Sequence, residues 1–261
     1  MTRTAKWVGV FTGKTVLVTG GGSGIGKAIA VAFSGAGASV VVAGRGRERL
    51  EAVAREIGGR AAVTDVASEE SVKALFAGIA RNEGGLDVLI NNAGVTGPVS
   101  RAEDMDMALW DETIAINIRG VLTCIKFAVP MLRQRGGGAI VNMSSLMGLR
   151  GYPMRAAYTA TKFAVIGITE AVAHEVGPDG IRVNALCPGA VNGELMERVI
   201  AARVKAEDKP AQEIIRVNYT DKAALRRWVE PEEVAEVALF LASDAASSVT
   251  GERIKVDAGR L

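Results

Sequence analysis

Thr15-Val16-Leu17-Val18-Thr19-Gly20-Gly21-Gly22-Ser23-Gly24-Ile25-Gly26 is the stretch that decides the fold. A short β-branched run, Thr15 to Thr19, reads as a strand, and the residues from Gly24 to Ser34 read as a helix. Between them lies a glycine turn. Glycine serves such a turn in three ways: it turns the chain tightly, it lets a pyrophosphate approach the backbone, and it lets the helix pack close to the strand. The new helix also offers unpaired N–H groups and its positive dipole end to a phosphate. The spacing is not G-x-G-x-x-G, and taken alone the turn has a purely structural reading. Its place after the first strand of an alternating chain favours nucleotide binding.

Working outward, strands are predicted at 39–43, 61–64, 88–91, 139–143, 181–186 and 254–256. Helices are predicted at 47–57, 68–82, 109–133, 156–176 and 231–242, with Ser68 as a capped start. The strands are continuous apolar runs rather than in–out alternations, as expected of a parallel sheet covered on both faces. The repeated alternation predicts an α/β, doubly wound, Rossmann-like fold with a mostly parallel seven-stranded sheet. Residues 1–261 are expected to form a single domain. The charged, weakly helical stretch at about 190–228 reads as an excursion within it.

Composition narrows the function. The chain has 31 glycines in 261 residues, 49% hydrophobic residues and a net charge of +2. Disorder is excluded, and without a basic stripe interleaved with aromatics no nucleic-acid partner is expected. Cys124 and Cys187 lack metal-ligand spacing and read as buried, reduced thiols of a cytoplasmic protein. His174 is the one histidine, so neither a histidine metal site nor a Ser/His/Asp triad is supported, and no metal is expected. Trp7 to Phe11 is too short for a signal-peptide core, and no apolar run approaches the ~20 residues of a spanning helix, so no membrane is expected.

The spacing T-G-x-x-x-G-x-G over Thr19 to Gly26 resembles the short-chain dehydrogenase/reductase (SDR) family, and further motifs follow in order. Asn91-Asn92-Ala93-Gly94 ends the fourth strand, Asn117 lies in the next helix, and Ser145 follows the fifth strand. Tyr158 stands 13 residues later, Lys162 completes Y-x-x-x-K, and Pro188-Gly189 follows the sixth strand. The match runs over roughly residues 12 to 258.

The resemblance implies a reversible hydride transfer between a nicotinamide and a secondary alcohol or its ketone. Tyr158 and Lys162, four apart on a helix, share a face. A free tyrosine has a pKa near 10, and a nearby ammonium is expected to favour its phenolate and bring it into the range of a general acid/base. Ser145 would hold the substrate oxygen; the 13-residue gap selects it over Ser144. In the family, Lys162 also holds the nicotinamide ribose, and Asn117 positions a water linking Lys162 to solvent. For the cofactor, the resemblance points to Gly20, Ser23, Gly24, Ile25 and Gly26 at the phosphates. It places Asp65 and Val66 at the adenine and the Val191 backbone at the carboxamide, and it counts Asn92, Ala93, Gly94, Pro188 and Gly189, with Tyr158 and Lys162, among the cofactor-binding residues. For Asn92, bridging strand backbones is an equal reading.

An acidic residue about 20 positions past the turn would bind the adenosine ribose. Gly44 takes that place and Arg45 follows, so NADP(H) is expected over NAD(H): a carboxylate repels a 2′-phosphate and a guanidinium binds it. Ser23 stands where many NADP-preferring relatives carry a second base. Gly193 stands where the family usually places a cofactor-contacting threonine.

Asn192 to Trp228 corresponds to the family's substrate-covering segment and holds Arg198, Arg203, Lys205, Lys209, Arg216, Lys222, Arg226 and Arg227 against six acids. With Arg150 and Arg155 between Ser145 and Tyr158, an anionic substrate is one reading, and a solvated charged face is the other. Leu146, Met147, Tyr152 and Met154 are candidate pocket walls. The helix from Ala156 to Val176 is apolar nearly all round and needs a second cover, so a homotetramer is expected. The competing functions are a non-catalytic dinucleotide sensor, an NAD-preferring dehydrogenase, and a carbohydrate epimerase, which would need further C-terminal mass.

Overall fold

The computed structural model describes residues 6–260, without the side chains of residues 195, 198, 202 and 205–207. Two of the cations in the covering segment, Arg198 and Lys205, thus have side chains outside the described residues.

The elements run β1 (Thr15–Thr19), α1 (Gly24–Gly35), β2 (Ser39–Gly44), α2 (Arg47–Ile57), β3 (Arg60–Val63), α3 (Glu69–Asn82) and β4 (Val88–Asn91). There follow α4 (Met107–Ile114), α5 (Gly120–Gln134), β5 (Gly138–Met143), α6 (Ala156–Val176), β6 (Ile181–Pro188), α7 (Glu194–Glu207), α8 (Ala211–Asn218), α9 (Pro231–Ala242) and β7 (Arg253–Val256). The strands form one sheet in the order β3-β2-β1-β4-β5-β6-β7. Every pairing in it is parallel. The order reverses between β1 and β4, the switch point at which doubly wound folds bind ligands beyond the carboxyl ends of their strands.

Both faces of the sheet are buried. In β1, Val16 and Val18 pack with Ile29 and Phe33 of α1 and with Val234 and Leu239 of α9. Leu17 faces the other way, toward Leu75 and Ile79 of α3, Ile125 and Leu132 of α5, and Val165 of α6. A strand buried on alternate sides has no polar face, which explains its unbroken apolar sequence.

Helix ends follow local chemistry. Ser68 Oγ accepts from Ser71 N at 3.2 Å and caps α3. Gly58, with φ of 62°, closes α2 in the left-handed region. Pro231 opens α9, and Glu233 Oε2 accepts from Glu230 N at 3.0 Å.

Two expectations need correction. The helix predicted from Leu109 begins at Met107, because Asp106 Oδ1 accepts from Ala108 N and Leu109 N. A π-turn, Ala115–Arg119, joins α4 to α5, so the helical run from Met107 to Gln134 is, by length and composition, apolar enough to span a membrane. Its buried side, including Cys124, Ile125 and Leu132, belongs to the sheet-covering core.

The excursion after β6 is pinned at both ends. Val191 bridges Val229 in parallel, and Ala223 bridges Arg260 in antiparallel fashion.

Candidate active site

The glycine turn is locked by the loop that follows β4. Thr19 Oγ1 accepts from the N–H groups of Asn92 and Ala93 at 3.0 and 3.1 Å and donates to Ile90 O. Asn92 Nδ2 donates to Thr19 O and Gly20 O at 3.0 and 3.2 Å, so its side chain bridges the two loops. Gly20 has φ of +66°, and a Cβ there would stand 2.8 Å from Asn92 Nδ2; at Gly26 it would stand 2.2 Å from Gly20 O. Gly24, with φ of +52°, opens α1 facing free space. The exposed Ser23 caps α1 with no side-chain bond, and no acid lies in the first turn. Ile25 packs against the core beneath.

The end of β2 lies beside this turn. Arg45 is exposed and makes no ion pair or hydrogen bond among the described residues. Arg49, in the first turn of α2, borders the turn: its Cβ is 3.3 Å from where a Gly22 side chain would begin. The sequence reading missed Arg49, although its spacing of four from Arg45 was available. Asp65 Oδ1 accepts from Ala67 N at 3.0 Å, and Val66 packs against Gly120.

Tyr158 and Lys162 stand on α6, whose register is fixed by a buried polar chain. Asn91 Nδ2 donates to Asn142 Oδ1 at 2.9 Å, Asn142 Nδ2 donates to Thr169 Oγ1 at 3.0 Å, and Thr169 donates to Val165 O. Lys162 is buried, its Nζ donates to Met143 O at 2.8 Å, and it lies 5.4 Å from the Tyr158 ring centroid. A Cβ on Gly94 would stand 3.1 Å from Asn117 Oδ1 and 3.7 Å from Lys162 Nζ, so Gly94 keeps this corner open. Burial lowers the Lys162 pKa to about 8, with Cys187 opposing. Ser144 is buried and donates to Lys162 O, whereas Ser145 interacts with the phenol.

The expected effect of the lysine on the tyrosine needs correction. Burial raises the Tyr158 pKa, and the groups that pull it down are the Ser145 hydroxyl and then Arg155, not Lys162. The ammonium points to the end of β5, and the Arg155 guanidinium carbon is the cation nearer the ring, at 5.1 Å. Asn117 is buried. Within the π-turn its Oδ1 accepts from Val95 N, and its Nδ2 donates to Val95 O and Thr161 Oγ1. The side-chain amide is thus taken up by protein.

Pro188 ends β6, and Gly189 N donates to Val256 O at 2.9 Å. Gly193 caps α7 with φ of +139°, a conformation that a threonine would resist. Of the candidate pocket walls, Leu146 is buried, while Met154 is half exposed with φ of 61°. Arg150 Nε donates to Tyr152 Oη at 2.9 Å. Both cysteines are buried free thiols. A cavity of about 460 Å³ lies at the opposite end of the sheet, where Lys14 and Arg135 face Asp87. None of the candidate residues reaches it.

The turn, Arg45, Asp65, the Asn92–Gly94 loop, Ser145, Tyr158, Lys162 and Pro188–Val191 thus gather along the carboxyl edge of the sheet. Open space over Gly24, an acid-free helix start and the exposed Arg45 and Arg49 beside it fit an anionic dinucleotide. Against known proteins, the family described as enoyl-(acyl carrier protein) reductase matches residues 20–260. The 3beta-hydroxysteroid dehydrogenase of Mediterraneibacter gnavus is 38% identical, over 97% of this chain and 96% of that protein. The structure of L-sorbose reductase from Gluconobacter frateurii, complexed with NADPH and L-sorbose, has a TM-score of 0.91 at 30% identity, covering 97% of this chain and 98% of that one. The structure of an NAD+-bound xylitol dehydrogenase has a TM-score of 0.88 at 32% identity, covering 95% and 99%.

Proposed function

The chain belongs to the short-chain dehydrogenase/reductase family of oxidoreductases, and from that premise we propose that it interconverts a secondary alcohol and its ketone with Tyr158 as general acid/base. The observation that carries this reading is the convergence of Ser145, Tyr158 and Lys162 at the switch-point edge of the sheet. The nicotinamide cofactor, when bound, supplies or accepts the hydride.

The residues have separate tasks. In the reductive direction Tyr158 Oη gives its proton to the substrate oxygen, and in the oxidative direction it takes that proton back. The Ser145 hydroxyl donates to the same oxygen and stabilises the charge that develops on it. Lys162 would hold the nicotinamide ribose, and its ammonium is the proton source behind Tyr158, with the Asn117 main-chain carbonyl as the outer contact for water. Burial moves the Tyr158 pKa further up from its ordinary alkaline value, so the phenol rests protonated, which suits an acid waiting for a carbonyl.

Gly20, Ser23, Gly24, Ile25 and Gly26 would hold the pyrophosphate, and Asp65 and Val66 the adenine. Asn92, Ala93, Gly94, Pro188, Gly189 and Val191 would line the nicotinamide half. NADP(H) is preferred to NAD(H) in this reading: Gly44 stands where an acid would bind the adenosine ribose, and the exposed Arg45 and Arg49 beside the glycine turn would meet a 2′-phosphate. Both cofactors occur among the structural neighbours, NADPH in one and NAD+ in another. The segment from 190 to 228 would cover the substrate. The exposed residues Leu122, Phe163, Met107 and Leu109 on α4, α5 and α6 would form the face on which a second copy docks, within a homotetramer.

Nicotinamide absorbance, followed with NADPH and with NADH over a panel of ketones, sugars and oxo acids, tests the reading. Turnover of at least one carbonyl compound with preference for NADPH is expected. Tight dinucleotide binding with no turnover across the panel would instead favour a sensor.

A further inference from the structure

Arg155 is the residue immediately before α6, and its guanidinium carbon lies 5.1 Å from the Tyr158 ring centroid. Its Nη2 donates to Thr96 O at 3.0 Å, in the loop that follows β4. From a third side Tyr219, just past α8, interacts with it electrostatically. Arg155 therefore stands where three elements meet beside the phenol: the start of α6, the loop after β4, and the segment that follows β6.

The guanidinium is half-buried, yet it makes no ion pair among the described residues, and its Nε is enclosed without a hydrogen-bond partner. Burial pushes its pKa down, and the phenols of Tyr158 and Tyr219 act against that. A desolvated cation without a counter-charge is costly. Several other arginines are paired with acids: Arg60 with Glu83 at 2.6 Å, Arg133 with Asp179 at 2.6 Å and Arg227 with Glu233 at 2.6 Å. Further positive charge gathers at the same place. The guanidinium carbons of Arg260 and Arg203 lie 5.1 and 6.0 Å from the Tyr219 ring centroid. Tyr219 itself is stacked on Trp228. The Nε of Arg260 is likewise enclosed without a partner.

We propose that Arg155 binds an anionic group of the substrate, and that the substrate is an oxo acid or hydroxy acid whose carboxylate lies a few bonds from the reacting carbon. This rests on the reading of Tyr158 as the acid/base, because it places the missing counter-charge on the molecule that Tyr158 protonates. A guanidinium matches a carboxylate with parallel N–H donors. With Nη2 donating one N–H to Thr96 O, the Arg155 guanidinium keeps donors for a single carboxylate.

The test compares kcat/KM for 3-oxobutanoate and 4-oxopentanoate with that for their methyl esters, together with cyclohexanone and hydroxyacetone phosphate. It is run at saturating cofactor on the native chain, Arg155→Gln and Arg155→Lys. The native chain is expected to favour at least one acid over its ester about tenfold or more. Arg155→Gln should reduce that ratio about tenfold or more, chiefly through KM, with Arg155→Lys restoring part of it. Equal use of acids and esters by the native chain overturns the proposal. So does an equal loss on both in Arg155→Gln, which is the mark of a structural role, or a preference for hydroxyacetone phosphate. Turnover of cyclohexanone without any acid preference sinks this inference alone. Failure of every carbonyl compound sinks the oxidoreductase reading and this inference with it.

Discussion

Lys162 is a lysine in a place that disfavours its charge, and that gives a direct handle on the site. Its pKa is lowered to about 8 by burial. Below pH 8 the amine is protonated in the folded and unfolded chains alike, and folding carries the full burial penalty. Between about 8 and 10.5 the folded chain has lost the proton while the unfolded chain keeps it, so this group's contribution to stability improves as pH rises. The unfolding free energy of the native chain relative to Lys162→Met should therefore move in the native chain's favour between pH 7 and pH 10, by about 3 kcal/mol at most. Denaturant unfolding at the two pH values checks this, and a flat difference contradicts it. Arg45 offers a second handle. Arg45→Asp should lower the ratio of kcat/KM with NADPH to that with NADH by about tenfold or more, since a carboxylate would then face the 2′-phosphate. An unchanged ratio in steady-state kinetics removes Arg45 from cofactor selection. At this scale the sequence made residue types and spacings legible, but not directions. Y-x-x-x-K places Tyr158 and Lys162 on one helix face. That Lys162 bonds Met143 O, and that Arg155 stands nearer the Tyr158 ring than Lys162 does, depends on how the loop before α6 returns to the sheet.

Among the elements, the glycine turn and the π-turn do the positioning. Gly26→Ala would press a methyl to 2.2 Å from Gly20 O, whereas Gly24→Ala meets open space and carries only the strain of a positive φ. Gly26→Ala should weaken dinucleotide binding about tenfold or more and destabilise the fold by several kcal/mol; Gly24→Ala should cost about 1 kcal/mol. Nicotinamide fluorescence titration and thermal unfolding separate the two, and equal effects would contradict the packing described. Asn117→Ala would leave Val95 N–H and C=O without their side-chain partner, at about 3 kcal/mol. Strand and helix identities were legible in the sequence because a doubly covered parallel sheet imprints unbroken apolar runs. The π-turn was not. Ala115 to Arg119 carries no composition that distinguishes it from α-helix, and the turn shows only in the pairing of Gly120 N–H with Ala115 O.

For the whole molecule, the strand order sets the switch point between β1 and β4, and every candidate residue lies along that edge. This much was legible because the motifs recur in chain order after successive strands. The expectation of an assembly rests on the apolar surface of α6. On that helix Phe163 is exposed, as is Leu122 on α5. Phe163→Glu should lower the mass seen in sedimentation at micromolar concentration, and an unchanged mass would move the interface elsewhere.

The most direct test of the central claim compares Tyr158→Phe with the native chain on one ketone, measuring turnover by nicotinamide absorbance and cofactor affinity by titration. Loss of the one phenolic proton should lower kcat by about 10³-fold while the dinucleotide Kd stays within a factor of about three. Turnover at the native rate without that hydroxyl would contradict the mechanism.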